Sequence, residues 1–151
     1  MKSSAELISL AGRSVMVTGA ASGIGYAMAM RFAEAGADLL LVDINQAALN
    51  KAVDDVKALG RSAQGLVVDL ADRAAIEKLW AAIEKVPDTL INNAGMYPMK
   101  DFLEIDESFL TKTLQLNFES AFWMCQHFIR RRLQQGGIIV NVSSVEAFLP
   151  F

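Results

Sequence analysis

The chain has 151 residues, 53% hydrophobic and 21% charged, with a net charge of −3. This is the composition of one packed globular domain, expected over residues 1–151, and it lacks the basic excess that binds a phosphate backbone, which argues against a nucleic-acid partner. Cys125 is the single cysteine, excluding an internal disulfide and a cysteine-based zinc site, and a reducing, cytoplasmic setting is expected. No stretch approaches the roughly 20 apolar residues of a membrane span, and Met1-Lys2-Ser3-Ser4-Ala5-Glu6 opens no apolar run of signal-peptide length.

Five short β-branched or leucine-rich runs recur along the chain, at 14–18, 38–43, 63–68, 89–92 and 137–142. Being apolar on both faces, they read as buried strands. Between them lie segments with helical spacing, such as Leu49, Val53 and Val56, then Ile76, Leu79, Trp80 and Ile83, each with one apolar stripe to bury. Strand and helix alternate over connections too long for hairpins. The expectation is therefore an α/β fold, a doubly wound parallel sheet of about five strands with helices on both faces. Asn45, Asp72 and Asp106 stand where N-cap side chains accept free backbone N–H groups. A long helix is expected from about Asp106 to Leu133. Its stripe of Leu110, Leu114, Ala121, Cys125 and Phe128 suits the sheet, and Phe109, Leu116 and Trp123 fall on roughly the opposite side.

Thr18-Gly19-Ala20-Ala21-Ser22-Gly23-Ile24-Gly25 follows the first strand and opens a helix at about Ile24. A helix N-terminus offers unpaired N–H groups and a positive dipole end, and glycines remove the β-carbons that would keep a pyrophosphate away. The alternative is a strand-to-helix turn whose glycines serve packing alone. Asp43 ends the second strand, about twenty residues after the glycine loop, where a carboxylate accepts both hydroxyls of an adenosine ribose. Neither Ser22 nor Ile44 supplies a cation to balance a 2′-phosphate, so NAD is expected over NADP; Asp43 leading into the next helix is the alternative.

The loop spacing resembles the T-G-x-x-x-G-x-G pattern of the short-chain dehydrogenase/reductase family, and the likeness extends along nearly the whole chain. Asp69-Leu70 resembles the pair that holds adenine, and Asn92-Asn93-Ala94-Gly95 matches the N-N-A-G motif, which supports the sheet and lines the nicotinamide-ribose side. The resemblance makes Asn117 the active-site asparagine of a proton relay, although a mid-helix asparagine is otherwise a structural hydrogen bonder. It makes Ser144, in Asn141-Val142-Ser143-Ser144, the serine that orients a substrate oxygen; an ordinary strand-end serine is the alternative.

In the family a tyrosine follows that serine by roughly a dozen residues, with a lysine four beyond it that lowers the tyrosine's pKa. Here the sequence runs on only to Phe151. Tyr26 and Tyr97 have Met30 and Asp101 four residues on, so neither substitutes. The resemblance thus implies the cofactor-binding portion of a Rossmann-like oxidoreductase for secondary alcohols or ketones, without the family's last strands and inactive as it stands. A non-catalytic nucleotide-binding or scaffolding protein is the alternative. Glu146 and Phe148 are weaker candidates for the border of a substrate pocket. A homodimer or larger homo-oligomer is expected through the helix carrying Phe109, Leu116 and Trp123. His127 and Cys125, two apart on one helix, point about 200° apart and cannot converge; with no ligand cluster, no metal is expected.

Overall fold

A computed structural model describes residues 7–144. Along the chain run β1 (Ser14–Thr18), α1 (Gly23–Glu34), β2 (Asp38–Asp43), α2 (Gln46–Ala58), β3 (Ala63–Val67), α3 (Arg73–Ala82), β4 (Thr89–Asn92), α4 (Glu107–Leu114), a π-helical segment (Gln115–Glu119), α5 (Ser120–Arg132) and β5 (Ile138–Asn141). All strand pairs are parallel, in the order β3-β2-β1-β4-β5. This is the doubly wound architecture expected from the alternation of strand and helix. The order reverses between β1 and β4, so the C-terminal ends of these strands face a crevice where ligands of open α/β sheets bind.

Alternation along each strand builds two apolar layers. Val15, Val17, Leu39, Leu41 and Ile91 meet α1 and α2 through Ala29, Ala33, Leu49 and Val56. Met16, Val42 and Leu90 point the other way, onto Ile76, Leu79, Trp80, Met124 and Phe128 of α3 and α5. Each fully buried Leu, Ile or Met contributes roughly 1.5–3 kcal/mol, so the central strands carry most of the stability. The helices begin where the side chains dictate: Asn45, Asp72 and Asp106 accept from the N–H groups of Ala48, Ala74 and Phe109 at 3.1, 2.8 and 2.8 Å.

Two expectations about burial fail. β3 and β5 are edge strands and are largely exposed, because each has one neighbour. The outward row of β5 and the residue after it, Ile138, Val140 and then Val142, is 40–61% exposed, whereas Ile139 packs inward. β3 ends at Val67 and β5 spans Ile138–Asn141, each shorter than its apolar run.

The long helix also departs from expectation in part: Phe128 of the expected sheet-facing stripe is buried, but other members of the two stripes exchange roles. Leu116 and Trp123 pack onto the core beside α3, and Leu110 and Leu114 are about half exposed. The cause is the π-helical segment, where the Ser120 N–H reaches back to the Gln115 carbonyl. The wide turn inserts an extra residue and rotates everything beyond it. Ser120, Met124 and Phe128 then become the buried row of α5. The outward apolar row is Leu110, Leu114, Phe118, Phe122 and Ile129.

Candidate functional site

The C-terminal ends of β1 and β4 are tied by a compact knot. Thr18 is buried, and its hydroxyl oxygen accepts from the N–H groups of Asn93 and Ala94, both at 3.0 Å, while donating to the Ile91 carbonyl at 3.3 Å. The Asn93 amide returns two donations, to the carbonyls of Thr18 at 3.0 Å and Gly19 at 3.3 Å. Two motifs far apart in sequence thereby become one wall.

Two glycines of the loop are required by close approach. A β-carbon on Gly25 would lie 2.0 Å from the Gly19 carbonyl oxygen, and one on Gly19, whose φ is +63°, would lie 3.0 Å from Ala94 Cα. With these β-carbons absent, the loop folds flat against Ala94 and opens α1 toward the crevice. Ser22 is the N-cap of α1, but its hydroxyl makes no capping bond. Among the described residues the first turn therefore presents N–H groups that no side chain caps and a Ser22 hydroxyl in no capping bond, the chemistry an anion needs.

Asp43, at the end of β2, is held from two sides: Oδ2 accepts from the Ala21 N–H at 3.0 Å and Oδ1 from the Asn45 N–H at 2.9 Å. Each oxygen retains lone-pair capacity, so a fixed two-point acceptor stands beside the glycine loop. Beyond β3, Asp69 Oδ1 accepts from the Ala71 N–H at 2.9 Å, and Leu70 is buried among the core residues below.

These elements enclose a cleft of about 530 Å3 whose walls include Gly19, Ser22, Gly23, Ile24, Asp43, Asp69, Leu70, Asn93, Ala94 and Gly95. Ten of the residues singled out from sequence thus line one space. Thr18 and Gly25 do not line it; they form the wall behind it. Sequence reasoning passed over Val68, Ala71, Met96 and Lys112, gave Ile44 no contact role, and placed Leu116 on a self-association stripe; all six line the cleft. Ile44, Val68, Ala71 and Met96 adjoin the residues that were singled out, a signal available in the chain, whereas Lys112 and Leu116 reach the cleft from α4 and the π-helical segment, for which sequence offers none.

Asn117, at the centre of the π-helical segment, binds the backbone of Met96 with both ends of its carboxamide: Oδ1 accepts from the N–H and Nδ2 donates to the carbonyl, each at 2.8 Å. It approaches across Gly95, where a β-carbon would lie 3.3 Å from Oδ1. The side chain thereby positions the loop after Asn92-Asn93-Ala94-Gly95. Asn92 donates to Asn141 Oδ1 at 2.8 Å and to Cys125 Sγ at 3.2 Å, joining β4 to β5. Ser144 follows β5, is exposed, and is not among the residues lining the cleft. Glu146 and Phe148 lie outside the described residues.

Tyr26 does meet a lysine in space, with Lys51 Nζ 5.7 Å from its ring centroid. Its hydroxyl, however, donates to Asp55 at 2.7 Å, and that bond raises its pKa, the reverse of what a general base requires. This pair clamps α1 to α2. His127 stacks on Trp80 with centroids 6.1 Å apart, a packing role. Among the described residues no three His, Cys, Asp or Glu side chains group as a metal site, and no helix is long and apolar enough to cross a membrane.

The short chain dehydrogenase family model matches residues 13–151. The chain belongs to that family. It is 35% identical over 145 residues to 2-dehydro-3-deoxy-D-gluconate 5-dehydrogenase of Dickeya dadantii, covering 92% of this chain and 56% of that protein. Among solved structures, a short-chain dehydrogenase from Sphingobium yanoikuyae in complex with NADPH matches with a TM-score of 0.86 and 31% identity, over 91% of this chain and 56% of that one. The bulky-bulky ketone specific alcohol dehydrogenase from Comamonas testosteroni matches with a TM-score of 0.86 and 25% identity, over 91% and 57%. This short chain dehydrogenase chain spans little more than half the length of the relatives it matches.

Proposed function

We propose that the chain is the cofactor-binding half of an oxidoreductase that uses NAD and acts on a secondary alcohol or ketone. The observation that carries the cofactor preference is Asp43, whose two oxygens are fixed by backbone N–H groups beside the glycine loop. There it accepts the two hydroxyls of an adenosine ribose, and a 2′-phosphate in the same place meets a like charge. The residues present fit the dinucleotide, because the bare Gly19–Gly25 contact and a Ser22 hydroxyl in no capping bond leave a cradle for its pyrophosphate. Asp69 and Leu70 take the adenine, and Ala94 and Gly95 the nicotinamide side.

When bound, the nicotinamide supplies a hydride donor or acceptor. By family likeness, Ser144 orients the substrate oxygen and Asn117 serves the proton relay; the Asn117 side chain also holds the Met96 loop. The Tyr26 hydroxyl is bonded to Asp55 and Tyr97 has Asp101 rather than a lysine four residues on, so the 151-residue polypeptide is expected to bind cofactor with little turnover; losing a positioned acid–base group costs on the order of 10²–10⁴ in rate. The outward row of the long helix supports assembly with a second copy, and the single cysteine supports work in the cytoplasm.

Calorimetric titration of the chain with NADH and NADPH tests the cofactor reading. The expected result is a preference for NADH of roughly tenfold or more, narrowed in Asp43→Ser. The Sphingobium yanoikuyae neighbour carries NADPH, which is the competing outcome: equal or reversed affinity removes the role given to Asp43.

A further inference from the structure

Two cavities meet beyond Asp69. The cofactor cleft adjoins an open groove of about 710 Å3, and Asp69, Ala71 and Lys112 belong to the walls of both. The partition is therefore a short loop after β3 on one side and a single long side chain from α4 on the other. Lys112 stands in the last turn of α4 and is exposed. Among the described residues its ammonium has no ion-pair partner, although acids surround it. Asp106 pairs with Lys100 at 2.8 Å, Asp72 caps α3, and Asp69 holds the Ala71 N–H. Among the described residues Lys112 is also the one cation lining the cofactor cleft, whose acids are Asp43 and Asp69.

We propose that Lys112 is an adenine-recognition residue that closes the outer end of the cleft, an inference that rests on the cofactor reading above. An adenine edge places an amino donor beside an unprotonated ring nitrogen. Asp69 and Lys112, on the same rim, supply the matching acceptor and donor. The four-carbon stem of the lysine covers apolar base surface while its head stays hydrated. Ser22, Gly23 and Asp43, which face the pyrophosphate and ribose, line the cleft alone, whereas Lys112 shares both cavities with Asp69 and Ala71, which sets the lysine at the Asp69 end.

The test is calorimetry on the chain and its Lys112→Met and Lys112→Arg variants with NADH, NADPH and nicotinamide mononucleotide, which has no adenosine. Lys112→Met is expected to weaken both dinucleotides alike, roughly three- to tenfold. It should leave the mononucleotide and the melting temperature unchanged, and Lys112→Arg should keep most of the affinity. Undiminished NADH binding by Lys112→Met overturns the proposal, as does a loss confined to NADPH, which assigns the lysine to the 2′-phosphate. If the unaltered chain binds neither dinucleotide, the cofactor reading falls and the lysine's role with it; normal binding by the unaltered chain with an indifferent Lys112→Met sinks the lysine alone.

Discussion

Asn117 and Met96 are joined through both polar atoms of one carboxamide and both polar groups of one peptide unit, two bonds of 2.8 Å. The pair links the loop after β4 to the helix segment that faces it, so the width of the cleft near Gly95 depends on this bridge. Asn117→Asp keeps the acceptor and replaces the donor by an oxygen facing the Met96 carbonyl. The expected cost is about 1–2 kcal/mol by urea denaturation, together with weaker cofactor binding. Asn117→Leu, which removes both bonds, should cost at least as much. A variant as stable as the unaltered chain would show that the bridge does not hold the loop.

Acid should weaken the fold in two stages, both by way of groups whose folded pKa is depressed. Burial lowers the pKa of His127, with Arg130 adding to it. The neutral ring favoured in the fold thus contributes stability that is complete above the imidazole's ordinary value near 6.5 and is lost as pH falls from there through the folded value. Asp88 follows at lower pH. Burial pushes its carboxyl upward, but hydrogen bonds from Ser14 and the charges of Arg132 and Arg13 outweigh that and hold it below the usual range. Its stabilisation is present above the ordinary carboxylate value and disappears as pH falls through the depressed one. Denaturant titrations between neutral pH and pH 3 should show His127→Gln flattening the first stage and Asp88→Asn the second. Unchanged slopes in both variants would contradict the assignment.

Most of the fold was legible because the determining signals are local. The β1, β2 and β4 boundaries coincide with apolar runs, and Asn45, Asp72 and Asp106 each cap the helix they were expected to begin. Most of the cleft was legible too, since its residues cluster at strand ends and in the glycine loop. What escaped depends on global geometry. Burial of β3 and β5 is set by which strands become edges, and strand order is not written in hydrophobic pattern. The π-helical turn at Asn117 rotates two stripes past each other by an amount that periodicity alone misses. Lys112 reaches the cleft only because α4 packs across it.

The exchange of those stripes changes which substitutions should disturb self-association. Phe122→Glu and Leu114→Lys alter the exposed row and should shift sedimentation toward monomer while leaving stability within about 0.5 kcal/mol. Trp123 instead packs on the core with Arg73 3.8 Å from its ring centroid. Trp123→Ala should therefore destabilise the fold by roughly 2–4 kcal/mol. Loss of assembly in a fully stable Trp123→Ala, with no effect from Phe122→Glu, would reverse the assignment of the two faces.

The proposed function requires one dinucleotide to lie across the β1/β4 crevice, with its pyrophosphate at the start of α1 and its ribose at Asp43. Hydrogen exchange of the chain with and without saturating NADH measures this directly. Slowed exchange is expected in three places: the glycine loop at 19–25, the β2 and β3 exits at 43–44 and 69–71, and the loop at 93–96. The back faces of α2 and α5 should be unaffected. Binding that leaves the glycine loop and the Asp43 turn exchanging freely, or that protects another surface instead, would contradict it.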